Sequence, residues 1–192
     1  MLFRSRPTAS LTLSIPMAQA QALSQTHAWL AQPLPLSATA WMPEGELVLR
    51  LSGARAAVQS APDRMAKNLG TEAFKIWSSE EADRFWTSLR DQTHPFFRPP
   101  SARHSLWRLS LPPTASEWAS AGAQPLIEWG GAQRWVWSDA PDATLREAAA
   151  QRGGSASCFR AARADIESFP LLARPLMDLQ ARIKAELDPH HL

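Results

Sequence analysis

Apolar and polar residues alternate at two different periods in the first part of the chain. Residues 11–15 place an apolar side chain at every second position, which is the pattern of a half-buried strand. Residues 17–30 carry apolar side chains at helical spacing. The segment 37–51 predicts two strands joined by a turn at Gly45, and an alanine-rich helix follows over 54–68. This part of the chain therefore predicts a β-α-β-β-α order.

A second series of the same patterns begins at Ser78. Ser78 and Glu81 form a capping box, in which each side chain satisfies a backbone N–H at the start of a helix. The stretch 106–111 alternates again, with Trp107 on one face of the predicted strand and Arg108 on the other. This series therefore predicts a helix followed by a strand.

The following part of the chain carries start and stop signals for three more elements. Thr114 and Glu117 match a capping box, which predicts a short helix. Asp142 is placed to cap a helix that ends at the glycine pair 153–154. A strand is predicted around 157–159.

The C-terminal segment carries a regular apolar stripe. Its apolar residues are spaced by four, three, four and four positions: Leu172, Leu176, Leu179, Ile183 and Leu187. This spacing places all of them on one side of an α-helix. The pattern predicts a helix whose stripe is buried in the core, with a partner-binding surface as the second interpretation.

These patterns together predict the fold class and the domain organisation. A length of 192 residues suits one domain with its own core. The element order predicts a single α+β domain over residues 1–192, with an antiparallel sheet built from two ferredoxin-like β-α-β halves. We expect the helices to pack on one face of that sheet.

The stretch "LIEWGGAQRWVW", residues 126–137, concentrates three tryptophans around a glycine pair. If Gly130 and Gly131 form the two-residue turn of a hairpin, both can take the positive φ that a type I′ turn requires. The resulting register places Trp135 and Trp137 on one face, which we expect the helices to cover. The stretch therefore predicts a β-hairpin with one buried tryptophan face.

The same register places Trp129 beside Arg134 on the uncovered face of the sheet. An exposed guanidinium can bind a carboxylate through two hydrogen bonds, while an indole offers a flat apolar surface to an aromatic ring. The alternative is that Arg134 only covers Trp129 with its aliphatic part. Arg108, opposite Trp107, is in the same situation.

His94 is either an acid or base near a pocket or a loop residue held by the proline that follows it.

Composition and charge argue against several classes of function. The formal net charge is +2 and no run of Lys or Arg exceeds two residues, which argues against nucleic-acid binding. Cys158 is the only cysteine, so an internal disulfide and a cysteine-rich metal site are excluded, and we expect this thiol to be buried. His190 and His191 are adjacent, which is poor spacing for one metal ion on a helix. We therefore expect no metal site.

Residues 1–20 have some features of a signal peptide. Arginines lie near the start, and the Ala18-Gln19-Ala20 tripeptide resembles a cleavage site. The apolar stretch 11–15 is interrupted by polar residues, however, whereas a secretory core needs roughly 7 to 15 continuous apolar residues. No stretch approaches the roughly 18 apolar residues of a membrane span. These patterns predict a cytoplasmic protein without a transmembrane segment.

Six stretches in order along the chain resemble one family. They are "LFRSRPTASLTL", "FWTSLRDQTHPFF", "LWRLSLP", "LIEWGGAQRWVW", "AAAQRGGSASCFR" and "PLMDLQARIKAELDP". Together they resemble the C-terminal, cap region of the FAD-binding E subunits of bacterial glycolate oxidases. These are flavoproteins of the vanillyl-alcohol-oxidase type. The resemblance extends over nearly the whole chain.

The resemblance implies a role in the flavin-dependent oxidation of glycolate to glyoxylate. It implies FAD that is held mainly by a domain absent from this chain, with other glycolate oxidase subunits, a flavin subunit and an iron-sulfur subunit, as partners. The location implied is cytoplasmic, or peripheral to the inner membrane through the complex. Substrate- or flavin-facing candidates are Arg108, Trp129, Arg134 and His94, while catalytic residues stay unassigned.

Three departures from the family pattern qualify what the resemblance implies. A glycine-rich loop for the FAD pyrophosphate is missing, since Gly130-Gly131 is assigned to a hairpin and Gly153-Gly154 to a helix end. Ser155 stands where relatives often have histidine, and the chain ends at Leu192 without the family's tail toward the flavin. We therefore expect a cap domain that is inactive alone. The alternative is a non-catalytic α+β interaction module that docks onto oxidase subunits through its sheet face or last helix.

Overall fold

An antiparallel sheet runs through the molecule, in a computed structural model that describes residues 7–69, 74–118, 124–170, 172 and 174–188. The strands of the described residues are β1 (Ala9–Pro16), β2 (Leu36–Met42), β3 (Glu46–Gly53), β4 (Lys75–Ile76), β5 (Ser105–Ser110), β6 (Leu126–Glu128), β7 (Gln133–Ser138) and β8 (Ser155–Arg160). The helices are α1 (Gln19–Leu30), α2 (Arg55–Leu69), α3 (Ser79–Arg90), α4 (Asp142–Ala150) and α5 (Arg174–Leu187). The predicted α+β class is confirmed.

The sheet consists of two four-stranded halves joined edge to edge. Its order is β4-β1-β3-β2-β6-β7-β5-β8, and the halves meet where β2 pairs with β6. When the strands of each half are numbered from the first strand of that half and read from the outer edge of the sheet inward, both halves have the order fourth, first, third, second. The first half also has the complete β-α-β-β-α-β element order of a ferredoxin-like unit. The spatial order therefore repeats although the sequence does not.

The second half differs from the first between its first two strands, β5 and β6. Where the first half has α1, the described residues 111–118 and 124–125 form no helix. The short helix predicted from Thr114 and Glu117 is therefore wrong as far as the described residues extend. Side chains of other elements hold this segment in an irregular conformation, since Arg134 donates to the carbonyls of Ala115 and Ser116 and Gln19 accepts from the Trp118 N–H.

Helices lie on both faces of the sheet, which corrects the expectation of one covered face. On the first face, α1 and α2 share a core with Leu13 and Ile15, and α4 packs through Leu145. We call this the three-helix face. On the opposite, α3 face, the indole N–H of Trp86 donates to the Thr12 hydroxyl at 3.0 Å. Strand β1 is therefore buried on both faces.

The polar positions of β1 explain why sequence patterns indicated a half-buried strand. Thr12 and Ser14 are buried although they are polar, with 3% and 0% of their surface exposed. Both hydroxyls accept hydrogen bonds from indole N–H groups, Ser14 from Trp77 at 2.8 Å and Thr12 from Trp86. A hydroxyl that is paired in this way can be buried at little cost.

The start of α3 is as predicted, whereas that of α4 is not. The Ser78 hydroxyl accepts from the Glu81 backbone N–H at 3.3 Å, and the Glu81 carboxylate accepts from the Ser78 N–H at 3.0 Å. The hydrogen bonds that the Glu81 carboxylate accepts from the Ser78 N–H and hydroxyl lower the pKa of Glu81. In α4, Pro141 occupies the cap position and Asp142 is the first helical residue, paired with Arg146 at 3.5 Å. Asp142 therefore stabilises the helix start by charge rather than by capping.

The C-terminal helix contradicts the prediction of a buried stripe. Every residue of α5 is exposed, and Leu179 and Ile183 show 52% and 49% of their surface. Cys158, by contrast, is buried as expected, and burial raises the pKa of its thiol. Of the helices described, none combines the length and the apolar character needed to cross a bilayer.

Candidate functional site

The hairpin β6–β7 has the predicted register and turn. Ile127 pairs with Arg134 and Glu128 with Gln133, as expected from a turn at the glycine pair. Gly130 and Gly131 both have positive φ, +65° and +101°, and the Ala132 N–H donates to the Trp129 carbonyl at 3.2 Å. The glycine pair therefore forms the turn because only glycine adopts these φ values without a steric penalty.

Trp129 adds a feature that the sequence pattern did not indicate. Its own φ is +52°, so it continues the left-handed conformation of the glycines, and 71% of its surface is exposed. A left-handed conformation costs a bulky residue about 1–2 kcal/mol. The buried hydrogen bond from the Gly130 N–H to the Thr39 hydroxyl, at 2.8 Å, helps to hold the turn in place. Strain of this kind is frequent at binding sites.

Arg134 is fully buried, so the predicted position on an open sheet face is wrong. Its guanidinium donates to the carbonyls of Gly131 at 3.3 Å, Ser116 at 2.6 Å and Ala115 at 2.8 Å. Burial lowers the pKa of Arg134 to about 10, with a smaller effect from Arg152, so the group stays protonated at neutral pH. Strand β7 is buried on both faces at Arg134 and Trp135, and Arg134 faces inward with three carbonyls as its partners.

Arg108 has the exposed position that was predicted for it. Its side chain is exposed on the α3 face, opposite the fully buried Trp107. Its neighbours across the ladder are Trp135 and Ser157. The uncovered part of the sheet therefore lies here, on the α3 face of the second half.

A cleft of about 770 Å³ opens on the α3 face, between α3, strands β2 and β3, and the hairpin. Residues that define its walls are Ser37, Thr39, Arg50, Trp86, Gln92, Glu128, Trp129, Gln133 and Trp135. Trp129 therefore shares the cleft with Gln133 and Trp135, whereas Arg134, which was predicted beside it, does not line the cleft. Because Trp135 pairs with Arg108 across the ladder, the cleft adjoins the exposed face that carries Arg108.

Arg50 is the cation of the cleft that sequence analysis missed. It is half-buried, its guanidinium lies 5.2 Å from the Trp86 ring centre, and its Nε donates to the Ser37 hydroxyl at 3.3 Å. The neighbouring Arg90 is already paired with Asp91 at 2.8 Å. A signal was available, since Arg50 alternates with Leu49 and Leu51 and therefore points away from the leucine core.

Two acidic side chains line the cleft, Asp83 of α3 and Glu128 of β6, and Glu128 is occupied by local hydrogen bonds. The Glu128 carboxylate accepts from the Trp135 indole N–H at 2.7 Å and from the Gln133 amide at 3.2 Å. Arg50 has no ion pair among the residues that the structure describes. Arg50 and Trp129 both line this cleft, so it offers a guanidinium that can bind an anionic group and a flat apolar surface that can contact an aromatic ring.

His94 lies outside this cleft and has a structural environment. Its Nδ1 accepts from the Phe96 N–H at 3.2 Å, at the start of the single helical turn Pro95–Phe97. Its ring packs edge-on against Phe85, with centroids 5.8 Å apart. Desolvation lowers the pKa of His94, and the charge of Glu44 opposes that shift. This position matches the interpretation of His94 as a held loop residue.

No cluster of potential metal ligands occurs in the described part of the chain. His190 and His191 lie outside the described residues. So do residues 1–6, which contain the arginines considered as part of a signal peptide.

Comparison with known proteins confirms the resemblance found in the motifs. The chain is 37% identical to the glycolate oxidase subunit GlcE of Escherichia coli (strain K12) over 184 residues. The similarity covers 96% of this chain but 47% of that relative, so the chain spans about half of the relative's length. No model of a protein family matches the chain.

Proposed function

We propose that this chain is the cap-type part of a glycolate-oxidising flavoprotein subunit, forming one domain over residues 1–192. The relative with which it shares 37% identity is a glycolate oxidase subunit. The observation that supports a site on this chain is the α3-face cleft, which is lined by both Arg50 and the exposed Trp129. In this proposal the cleft covers the reacting end of the flavin together with the substrate.

The substrate is a small 2-hydroxy acid, and its carboxylate is the group that the cleft would recognise. Arg50 offers a planar guanidinium that can donate two parallel hydrogen bonds to a carboxylate. Its position over the Trp86 ring and its bond to Ser37 orient it before any ligand binds. Arg108, exposed on the adjoining face, is the second candidate cation for the substrate or the flavin.

FAD, when bound, supplies the acceptor for the hydride that leaves the hydroxyl-bearing carbon of glycolate. Trp129 would offer its exposed indole face to the flat ring system. The described residues fit the ring and a carboxylate better than the cofactor's phosphates. The Gly130 N–H is already bonded to Thr39, and Gly153 follows a helix end rather than preceding a helix start. We therefore propose that another domain holds most of the FAD.

The remaining sequence candidates receive structural roles in this proposal. Arg134 anchors the segment 113–118 through backbone carbonyls, and His94 holds the turn that follows α3. The proposed partners are other glycolate oxidase subunits, one carrying flavin and one an iron-sulfur cluster. The second candidate function is a non-catalytic interaction module, which the exposed apolar stripe of α5 favours.

Kinetics of the assembled oxidase test the role of the cleft. We would measure glycolate-dependent reduction of an artificial electron acceptor by a complex that contains this chain. Arg50→Gln should lower kcat/KM by at least tenfold, which corresponds to the roughly 1.5–3 kcal/mol of a charged hydrogen bond, while the melting temperature stays unchanged.

Arg84→Gln is the matched control, because Arg84 lies exposed on α3 and pairs with Glu80 of the same helix at 3.4 Å. It should leave the kinetics unchanged. If both variants have wild-type kinetics, the cleft does not bind the substrate. An assembled complex without turnover of any 2-hydroxy acid would leave the interaction module as the better explanation.

A further inference from the structure

Most of the exposed large apolar side chains on the described helices lie on α5, and four of them form its apolar stripe. Leu176 and Leu179 are each 52% exposed, Ile183 is 49% exposed and Leu187 81% exposed. An isolated helix of this length is only marginally stable in water, because most helical stability comes from packing of the apolar side. A surface that buries the stripe is therefore expected.

The four side chains occupy a narrow arc of the helix. At 100° per residue they lie within about 80° of one another, which is the width of a seam between two helices. Met177 is also exposed, at 48%, but it lies about 80° outside that arc. The stripe is thus distinct from the general apolar surface of the helix.

The spacing of the stripe is nearly symmetric along the helix. Leu179 and Ile183 lie two positions on either side of residue 181, and Leu176 and Leu187 lie five and six positions away from it. A two-fold axis through this point would place Leu176 against Leu187 of a second copy, and Leu179 against its Ile183. A surface that is complementary to itself under a two-fold axis is what a closed dimer requires.

The charges of α5 are compatible with a second copy of the same helix. Residues 174–188 contain three basic and three acidic side chains, so the segment has no net charge. Arg174 pairs with Asp178 at 3.4 Å, and Lys184 with Asp188 at 3.7 Å. Two copies therefore approach without net repulsion. An anionic membrane, by contrast, selects helices that are rich in Lys and Arg on the polar side.

We propose that α5 pairs antiparallel with α5 of a second copy of this chain. The pairing buries the stripe in four apolar layers, and the chain is a homodimer through its C-terminal helix. The cleft of the α3 face is not part of this contact, so dimerisation and the proposed oxidase role can be tested separately.

Mass measurement over a wide range of concentrations tests the dimer. Light scattering after gel filtration of the full chain should give twice the 21.2 kDa of the monomer. The Leu179→Lys/Ile183→Lys double variant should be monomeric, while the control Met177→Lys should stay dimeric. Near-UV circular dichroism of the tryptophans, none of which lies in α5, checks that the double variant is folded. A monomeric wild type, or a double variant that dimerises normally, would overturn the proposal.

Disulfide cross-linking tests the orientation. Leu176→Cys and Leu187→Cys variants, mixed and oxidised, should form a bond between positions 176 and 187, and neither variant should cross-link alone. Cys158 is buried and therefore does not compete. Efficient cross-linking of either variant with itself would indicate a parallel pair and contradict the antiparallel arrangement.

Discussion

The two halves of the sheet have the same strand order but close the three-helix face by different means. In the first half, α1 lies between β1 and β2 in the chain and covers the sheet with side chains such as the fully buried Trp29. In the second half, the corresponding position between β5 and β6 contains the segment 111–118, which has no helix. The same layer is thus formed by a regular element in one half and by an irregular one in the other.

The difference shows how much side-chain hydrogen bonding an irregular segment needs. A helix satisfies its own backbone groups, whereas a packed loop must find donors and acceptors elsewhere. Arg134 donates to Ala115 and Ser116, and Gln19 of α1 accepts from the Trp118 N–H at 2.6 Å. Arg134, which sequence analysis offered either as a ligand-binding group or as a cover for Trp129, therefore holds the second half together.

The largest effect is expected at the Gly130-Gly131 turn, where the second half packs against α1 of the first half. A Cβ on Gly131 would lie 2.9 Å from Leu23 Cδ2 and 3.0 Å from the Pro113 carbonyl oxygen, at a φ of +101°. Gly131→Val should therefore lower the free energy of unfolding by about 3 kcal/mol or more, from backbone strain and overpacking together. Urea denaturation measures this loss.

Gly45 is the control for strain without crowding. Its φ is +84°, but a Cβ there would meet only the Met17 carbonyl oxygen, at 4.0 Å. Gly45→Val should cost about 1–2 kcal/mol. Equal losses in the two variants would show that the turn does not depend on packing against α1.

Arg134→Met should have the next largest effect. It removes a buried charge and also leaves three backbone carbonyls without this donor, so we expect a loss of roughly 2–4 kcal/mol. Backbone amides in 113–118 should exchange faster with solvent, as followed by hydrogen exchange and mass spectrometry. Arg108→Met, at an exposed position, should stay within about 0.5 kcal/mol of the wild type. Unchanged exchange in 113–118 would mean that Arg134 does not hold the segment.

Gln19→Ala tests the contact between the halves, with a smaller expected effect. The Gln19 amide accepts from the Trp118 N–H at 2.6 Å and donates to the Trp118 carbonyl at 3.4 Å. Loss of these bonds should cost roughly 1–2 kcal/mol in thermal unfolding. Gln21→Ala, two positions along the same helix and exposed, should have no measurable effect. The same melting temperature in both variants would contradict a link through Gln19.

The smallest effect concerns His94, in the connection between the halves. Desolvation lowers its pKa below the ordinary 6.5, so below that pH the unfolded chain takes up a proton that the folded chain does not. Stability should therefore fall as the pH decreases through this range. His94→Asn retains an acceptor for the Phe96 N–H and should differ from the wild type by less than about 0.5 kcal/mol at neutral pH. It should also weaken the acid dependence, as measured by melting temperature against pH. If the variant keeps the same pH dependence of the melting temperature, other titratable groups cause that dependence.

Features decided within a few residues could be predicted from the sequence. The capping box of Ser78 and Glu81 and the positive φ of the Gly130-Gly131 turn depend on neighbouring backbone groups. The turn also determines the hairpin register, because each step away from it along one strand is matched by one step along the other. The period of the apolar residues determined the α+β class for the same reason, because it is a local property of each element.

Which faces become buried was decided only by the tertiary structure. Arg134 is buried because α1, α4 and the segment 111–118 cover the three-helix face of the sheet. Arg50 lines a cleft because α3 crosses the opposite face. The α5 stripe has the spacing of a core helix, yet no part of this chain covers it in the described structure. Periodicity determines which side chains share a face, whereas burial depends on distant elements that pack against that face.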